Sequence, residues 1–180
     1  MNHLVSSRSP DDAADGAPDA VDEIRAGWHR LRPELDTTAV DIAGRLIRAS
    51  ALLVRATEER LAAFELTRGE FDVLTTLRRL AAPQSPTTLR TIGLASAPAV
   101  TKRLHALERR RLVLRTANPA DGRGALIALT DEGTALVDAA FPEVLDVERE
   151  LLAAVPESLR EDAAQGLRAV LASIEAAPKQ

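Results

Sequence analysis

Apolar residues recur along most of this chain at helical spacing. Val21, Ile24, Trp28 and Leu31 stand three or four positions apart. They predict a helix from a cap at Asp19 to about Leu31, ended by Pro33. From Thr37 or Thr38 to about Phe64, Val40, Ile47, Val54 and Leu61 recur at seven-residue steps. That keeps them on one narrow seam, suited to packing on another helix. Thr67-Arg-Gly-Glu70 is a capping box, and the helix it opens buries Phe71, Leu74 and Leu77 and frays before Pro83. Residues 81–86 read as a loop. Pro86-Thr87 begins a short helix to about Ile92, residues 93–95 turn, and Ser96 caps a helix to about Arg110 with Leu104 and Leu107 inward.

The helical period then breaks. Residues 112–116 and 125–129 are β-rich and joined by Asn118-Pro-Ala-Asp-Gly-Arg-Gly124, which predicts a hairpin. Thr130, followed by Asp131 and Glu132, opens another helix, which Phe141-Pro142 should kink. Pro156 sits at the first turn of a last helix, with Leu159, Leu167, Leu171 and Ile174 along its apolar side. The expected fold is mainly α with one small β-hairpin. Its parts are a disordered tail over 1–18, two helices over 19–66, a helix pair with a hairpin over 67–130, and helices over 131–180.

Composition narrows the chemistry. Hydrophobic content is 46% but aromatics are only 2%. The core must therefore be aliphatic, which suits packed helices. The chain has no cysteine, so disulfides and thiolate-metal sites are excluded. His3, His29 and His105 are far apart, which argues against a His-rich metal cluster. No catalytic motif, metal motif or cofactor loop stands out, so neither an enzyme nor a cofactor is expected. No apolar run is long enough for a membrane span and the N-terminus is polar and acidic, so the expectation is a cytoplasmic protein.

Charge is placed unevenly. From Lys102 to Arg123 there are seven basic residues against Glu108 and Asp121. That strip is +5 within a chain of net charge −4, which leaves −9 elsewhere. Such a strip can be a solvated helix face. It is also what DNA attracts, and here it coincides with helix, turn, helix, hairpin: the order of a winged helix-turn-helix reader of double-stranded DNA. A recognition helix offers its N-terminal residues to base edges in the major groove. The candidate contacts are Ser96, Ala97, Ala99, Thr101 and Lys102, with Thr87 on the preceding helix and Arg109 meeting phosphate. Pro98 lies in the first turn, where its missing amide costs nothing. The hairpin loop would be the wing, with Arg123 aimed at a minor groove. An ordinary surface hairpin, with Arg123 paired to Asp121, is the alternative.

These residues carry a likeness. Segment 67–133 resembles the MarR family of transcriptional regulators, through Pro86-Thr87-Thr88-Leu89, Val100-Thr101-Lys102-Arg103-Leu104, Arg111-Leu112-Val113, Asp121-Gly-Arg123 and Leu129-Thr130-Asp-Glu-Gly133. The likeness extends over nearly all of 35–176. Two positions depart from it: Arg111 stands where the family usually has Gly, and Gly122 where the wing often has Arg. The resemblance implies a homodimer held by helices 38–64, 131–153 and 156–176, on a pseudo-palindrome with half-sites ~10 base pairs apart.

The added N-terminal helix, with Trp28, resembles that of the urate-responsive, PecS-like subgroup. That subgroup carries a Trp on this helix, an Asp before the helix-turn-helix, an Arg in the recognition helix and an Arg beginning the wing. Trp28, Asp72, Arg103 and Arg115 stand at those places. The resemblance implies a site for urate or a related purine. The chemistry agrees: a guanidinium holds a planar anion through paired hydrogen bonds, and an indole offers a stacking face. An Asp72–Arg115 pair broken by the anion would move the wing. Each residue has a plainer alternative. Trp28 can be core, Asp72 can pair with Arg68 four residues before it, and Arg103 can bind phosphate. The wider alternatives are a regulator answering another small aromatic anion, or a winged-helix dimer that docks a protein and takes no ligand.

Overall fold

The computed structural model describes residues 18–93, 96–119 and 124–177. Of the expected tail over 1–18, residues 1–17 lie outside them, as do Arg123, Asp121 and Gly122 of the expected wing tip. Helices α1 (Ala20–Leu31) and α2 (Val40–Leu61) are followed by a single 3-10 turn (Ala62–Phe64), α3 (Arg68–Leu80), α4 (Pro86–Ile92) and α5 (Ala97–Arg109). Strands β1 (Val113–Ala117) and β2 (Ala125–Leu129) precede α6 (Asp131–Leu151) and α7 (Glu157–Ala176). Contacts gather residues 49–148 into one compact unit, and residues up to Arg48 with those from Arg149 into another.

The unit over 49–148 holds the aliphatic core. Leu61, Leu74, Leu104, Leu107 and Ile127 are fully enclosed, and Phe71, Leu77, Leu89, Val100 and Val113 join them. The expected capping box on α3 forms: Thr67 Oγ1 accepts from the Glu70 amide, and Glu70 accepts from the Thr67 amide at 2.9 Å. The hairpin pairs Val113 with Leu129 through Ala117 with Ala125. Gln84, read from sequence as loop, adds a bridge on the other side of β2. Its amide donates to Ile127 O at 2.9 Å and its carbonyl accepts from Ile127 N at 2.8 Å. One paired residue has no periodicity to betray it. α6 runs unbroken through Pro142, where a kink is expected.

The end of α5 fixes where the hairpin starts. Leu112 N donates to Leu107 O at 3.0 Å and Arg111 N to Glu108 O at 2.9 Å, a Schellman closure with Arg111 at φ 58°. Arg111 thus adopts the left-handed conformation that Gly takes without strain, at a cost of ~1 kcal/mol. The Arg110 guanidinium donates to the Phe64 carbonyl at 3.2 Å and to that of Glu65. It binds the end of α5 to the α2–α3 connection, a structural use that a reading of the arginine run as phosphate contacts misses.

In the other unit, α1 sits on the first half of α2. Asp19 caps it, with Asp22 completing a capping box. Val21 packs against Gly44, is 2% exposed, and leaves about 3.0 Å to a methyl built there. Around this contact lie two guanidiniums and three carboxylates. Arg45 meets Asp19 at 2.8 Å, Asp22 at 2.8 Å and Asp41 at 3.2 Å, and Arg25 meets Asp41 at 2.6 Å. Of the α1 stripe only Val21 is buried; Ile24, Trp28 and Leu31 are exposed. The seam on α2 is likewise open at Ile47, which is 72% exposed, while Leu61 is enclosed.

This cluster predicts an acid response. At Asp19, partial burial raises the carboxyl pKa, but the Asp22 and Val21 amides and Arg45 together lower it below its ordinary 3.8. At Asp22 the Asp19 amide and Arg45 lower it likewise. A carboxyl held low stabilises the docked helix above its ordinary pKa and ceases to do so as pH falls through its lowered value. Trp28, the single Trp of the chain, lies on α1 and reports the change. Its fluorescence is expected to shift on acidification below 3.8, before far-UV circular dichroism is lost. In Arg45→Ala protein the shift is already present at neutral pH. Coincident transitions in wild type would show that the cluster does not hold α1.

Candidate nucleic-acid interface and effector residues

Two helices, α4 and α5, present the candidate surface. α4 is capped by Ser85, whose Oγ accepts from the Thr88 amide at 3.1 Å, and Pro86 fills its first position. α5 is capped by Ser96, which accepts from Ala99 N at 3.4 Å. Val100, Leu104 and Leu107 turn inward, leaving Ala97, Pro98, Thr101, Lys102, His105 and Arg109 on the open side. Ala99 is half-buried, and the Thr101 hydroxyl donates to Ala97 O at 3.0 Å. Thr87 is exposed on α4 and lines a cleft of about 90 Å³ with Pro86, Arg90, Ala97, Val100 and Thr101. Small residues at the start of α5 leave its backbone free to approach a groove floor. The candidate contacts Thr87, Ser96, Ala97, Thr101, Lys102 and Arg109 therefore share an accessible surface. Arg90 and His105 belong to it too, and sequence reading missed both. Arg90 repeats the α4 face of Thr87 one turn on, and His105 that of Thr101 on α5. Arg123 lies outside the described residues.

Of the four candidate effector residues, Asp72, Arg103 and Arg115 lie in the unit over 49–148. Arg103 points from α5 onto α3, its guanidinium lying where a methyl on Gly69 would be. Asp72 is one turn further along α3, on the side of Gly69. Its carboxylate accepts from Arg68 Nε at 2.9 Å, and Arg68 Nη1 reaches the buried Thr57 hydroxyl at 3.1 Å. Arg115 stands on β1 opposite Ile127, and its Nε donates to Glu108 at 2.8 Å. The Asp72–Arg115 pair is therefore not made; each residue holds a nearer partner. Trp28 belongs to the other unit and is 47% exposed, so it is not core there. Glu108, on α5, enters the sequence reading only as one of two acids in the basic run.

Comparison with known proteins decides the kinship. The MarR family model matches residues 66–124, from the approach to α3 to the end of the hairpin loop. The chain is 34% identical over 157 residues to the HTH-type transcriptional regulator PecS of Dickeya dadantii (strain 3937), covering 86% of this chain and 92% of PecS. The chain belongs to the MarR family.

MarR-family structures share its architecture. A mutant MarR from E. coli complexed with operator DNA superposes with a TM-score of 0.66 at 27% identity, over 80% of this chain and 97% of that one. The transcriptional repressor CouR, bound to a DNA duplex, gives 0.63 at 30% identity over 79% and 99%. The helix pair and hairpin are thus the winged helix-turn-helix of a DNA-binding transcriptional regulator, and this chain is not an enzyme. Among the described residues no group of His, Asp or Glu could hold a metal, and no helix is long and apolar enough to cross a membrane.

Proposed function

We propose that this MarR-family regulator is a homodimeric cytoplasmic repressor, released from a pseudo-palindromic operator by urate or a related purine. The observation that carries the effector reading is the seat of Arg103. Gly69 has no side chain, so the Arg103 guanidinium lies against α3 at that position rather than reaching out as a phosphate contact. There its planar donors suit a planar anion. The same guanidinium belongs to the recognition helix, so whatever binds it acts on the part that reads DNA. A ligand that prefers the arrangement unable to bind DNA shifts the population away from the operator. Similarity to PecS over most of both chains supports the assignment to that subgroup.

The homodimer is supported by apolar surface. Ile24, Leu31, Ile42, Ile47, Leu167, Leu171 and Ile174 are large and exposed. Leu152, Val155, Ala163, Ala164 and Leu167 line an open apolar groove of about 400 Å³ between the end of α6 and α7. A second copy would remove this area from water.

Titrating urate into the protein–operator complex tests the effector. Release of DNA is expected, together with quenching of Trp28 fluorescence, and both are lost in Arg103→Ala protein. Unchanged operator affinity at millimolar urate and xanthine would exclude purines as effectors.

A further inference from the structure

Arg115 is already engaged, and its partner lies on the recognition helix. Arg115 Nε donates to Glu108 Oε1 at 2.8 Å, and the other Glu108 oxygen lies 3.8 Å from His105 Nδ1. The Glu108 side chain is only 24% exposed. One carboxylate therefore joins the root of the wing to α5. It stands one turn from His105 and two turns from Thr101, both on the open side of that helix.

We infer that Glu108 is the internal competitor that an anionic effector must displace from Arg115, and that the carboxylate so released weakens DNA binding by its charge. The inference rests on the purine reading above. An anion arriving at Arg115 meets a guanidinium whose charge is already balanced. Two anions on one guanidinium repel, so the effector favours the state in which Glu108 has let go. The freed carboxylate then stands unneutralised on the helix that must approach phosphates, and DNA disfavours that state. Coupling is reciprocal: DNA, by favouring the closed Glu108–Arg115 pair, lowers effector affinity by the factor with which effector lowers DNA affinity. In this scheme Glu108 is a positioning residue. It contacts neither ligand but sets which of them Arg115 serves.

Glu108→Gln tests this, because the amide keeps the shape and removes the charge. Urate affinity of the free protein is read by calorimetry, and operator affinity by fluorescence anisotropy with and without saturating urate. The variant is expected to bind urate about fivefold tighter, or ~1 kcal/mol at ~1.4 kcal/mol per decade. The ratio of operator Kd with urate to that without it is expected to shrink by a similar factor. Glu108→Asp keeps the charge but withdraws it by one methylene, and should tighten urate less. Thermal melting of each variant is followed alongside. Unchanged or weaker urate binding in E108Q, while wild type responds to urate, would overturn the inference; a lowered melting temperature would then mark Glu108 as a structural tie alone. Absence of urate binding to wild type would instead overturn the purine reading, and this inference with it.

Discussion

Gly133→Ala is expected to cost ~3 kcal/mol of stability, the upper end of the ~1–3 kcal/mol typical of overpacking. Gly133 is buried in the first turn of α6, and a methyl on it would overlap the Leu112 carbonyl oxygen. That carbonyl is already used. It accepts from Thr130 N at 3.1 Å and Thr130 Oγ1 at 3.2 Å, while the same hydroxyl accepts from Gly133 N at 3.0 Å. Thr130 Oγ1 also reaches Arg111 O at 2.7 Å. The end of α5, the start of β1 and the start of α6 therefore meet at one backbone junction. Neither side of the overlap is a flexible side-chain tip, so relief requires moving α6 or the hairpin. At ~2–4 °C per kcal/mol for a chain of this size, the melting temperature should fall by about 5–15 °C. Operator binding should fall as well, since the junction sets the wing against the recognition helix. An unchanged melting temperature would show that the junction relaxes freely.

Lys102→Glu is expected to have the largest effect on DNA binding without an effect on folding. Lys102 is exposed in the first turns of α5, beside Thr101. Substituting exposed residues of this kind changes stability by no more than about 0.5 kcal/mol. Reversal of charge on a DNA-facing helix removes one phosphate or base contact and adds repulsion. Operator affinity should drop by ~100-fold at low salt, and the slope of log K against log salt should become shallower by about 0.9 or more. An equal loss on operator and random duplex would place Lys102 on phosphate; a loss confined to the operator would place it on a base. Wild-type affinity would remove α5 from the interface.

The central unit is legible in the sequence because its local signals agree with its packing. Thr67 with Glu70, Ser96 with Pro98, and Thr130 with Asp131 name helix starts through chemistry that acts within four residues. Phe71, Leu74 and Leu77, and then Leu104 and Leu107, are enclosed as their spacing predicts. The left-handed Arg111 is a different case: it stands where the family usually has Gly, and only the structure shows that the closure is kept. The seam of α2 shows the limit. Periodicity identifies the apolar face of a helix but not what covers it, so Ile47 and Leu61 share a stripe and differ wholly in exposure.

The candidate effector residues show a second limit. An arginine can reach several carboxylates, and sequence distance ranks them poorly. Arg68 with Asp72 lies four apart on one helix and can be foreseen. Arg115 with Glu108 depends on how β1 leaves α5, which no local pattern encodes. The Gly69 seat of Arg103 is likewise a product of how α5 crosses α3. Chain order thus reveals which residues carry charge and planarity, while the fold decides which partner each one holds.

Fluorescence anisotropy of a labelled duplex taken from upstream of the protein's own gene, measured across a salt series against a scrambled duplex, tests the central claim most directly. Saturable binding to the upstream duplex is expected, at least ~1,000-fold tighter than to the scrambled one. A steep fall in affinity with salt is expected too, and loss of the preference in Lys102→Glu protein. Equal, weak affinity for both duplexes at every salt concentration would contradict the claim.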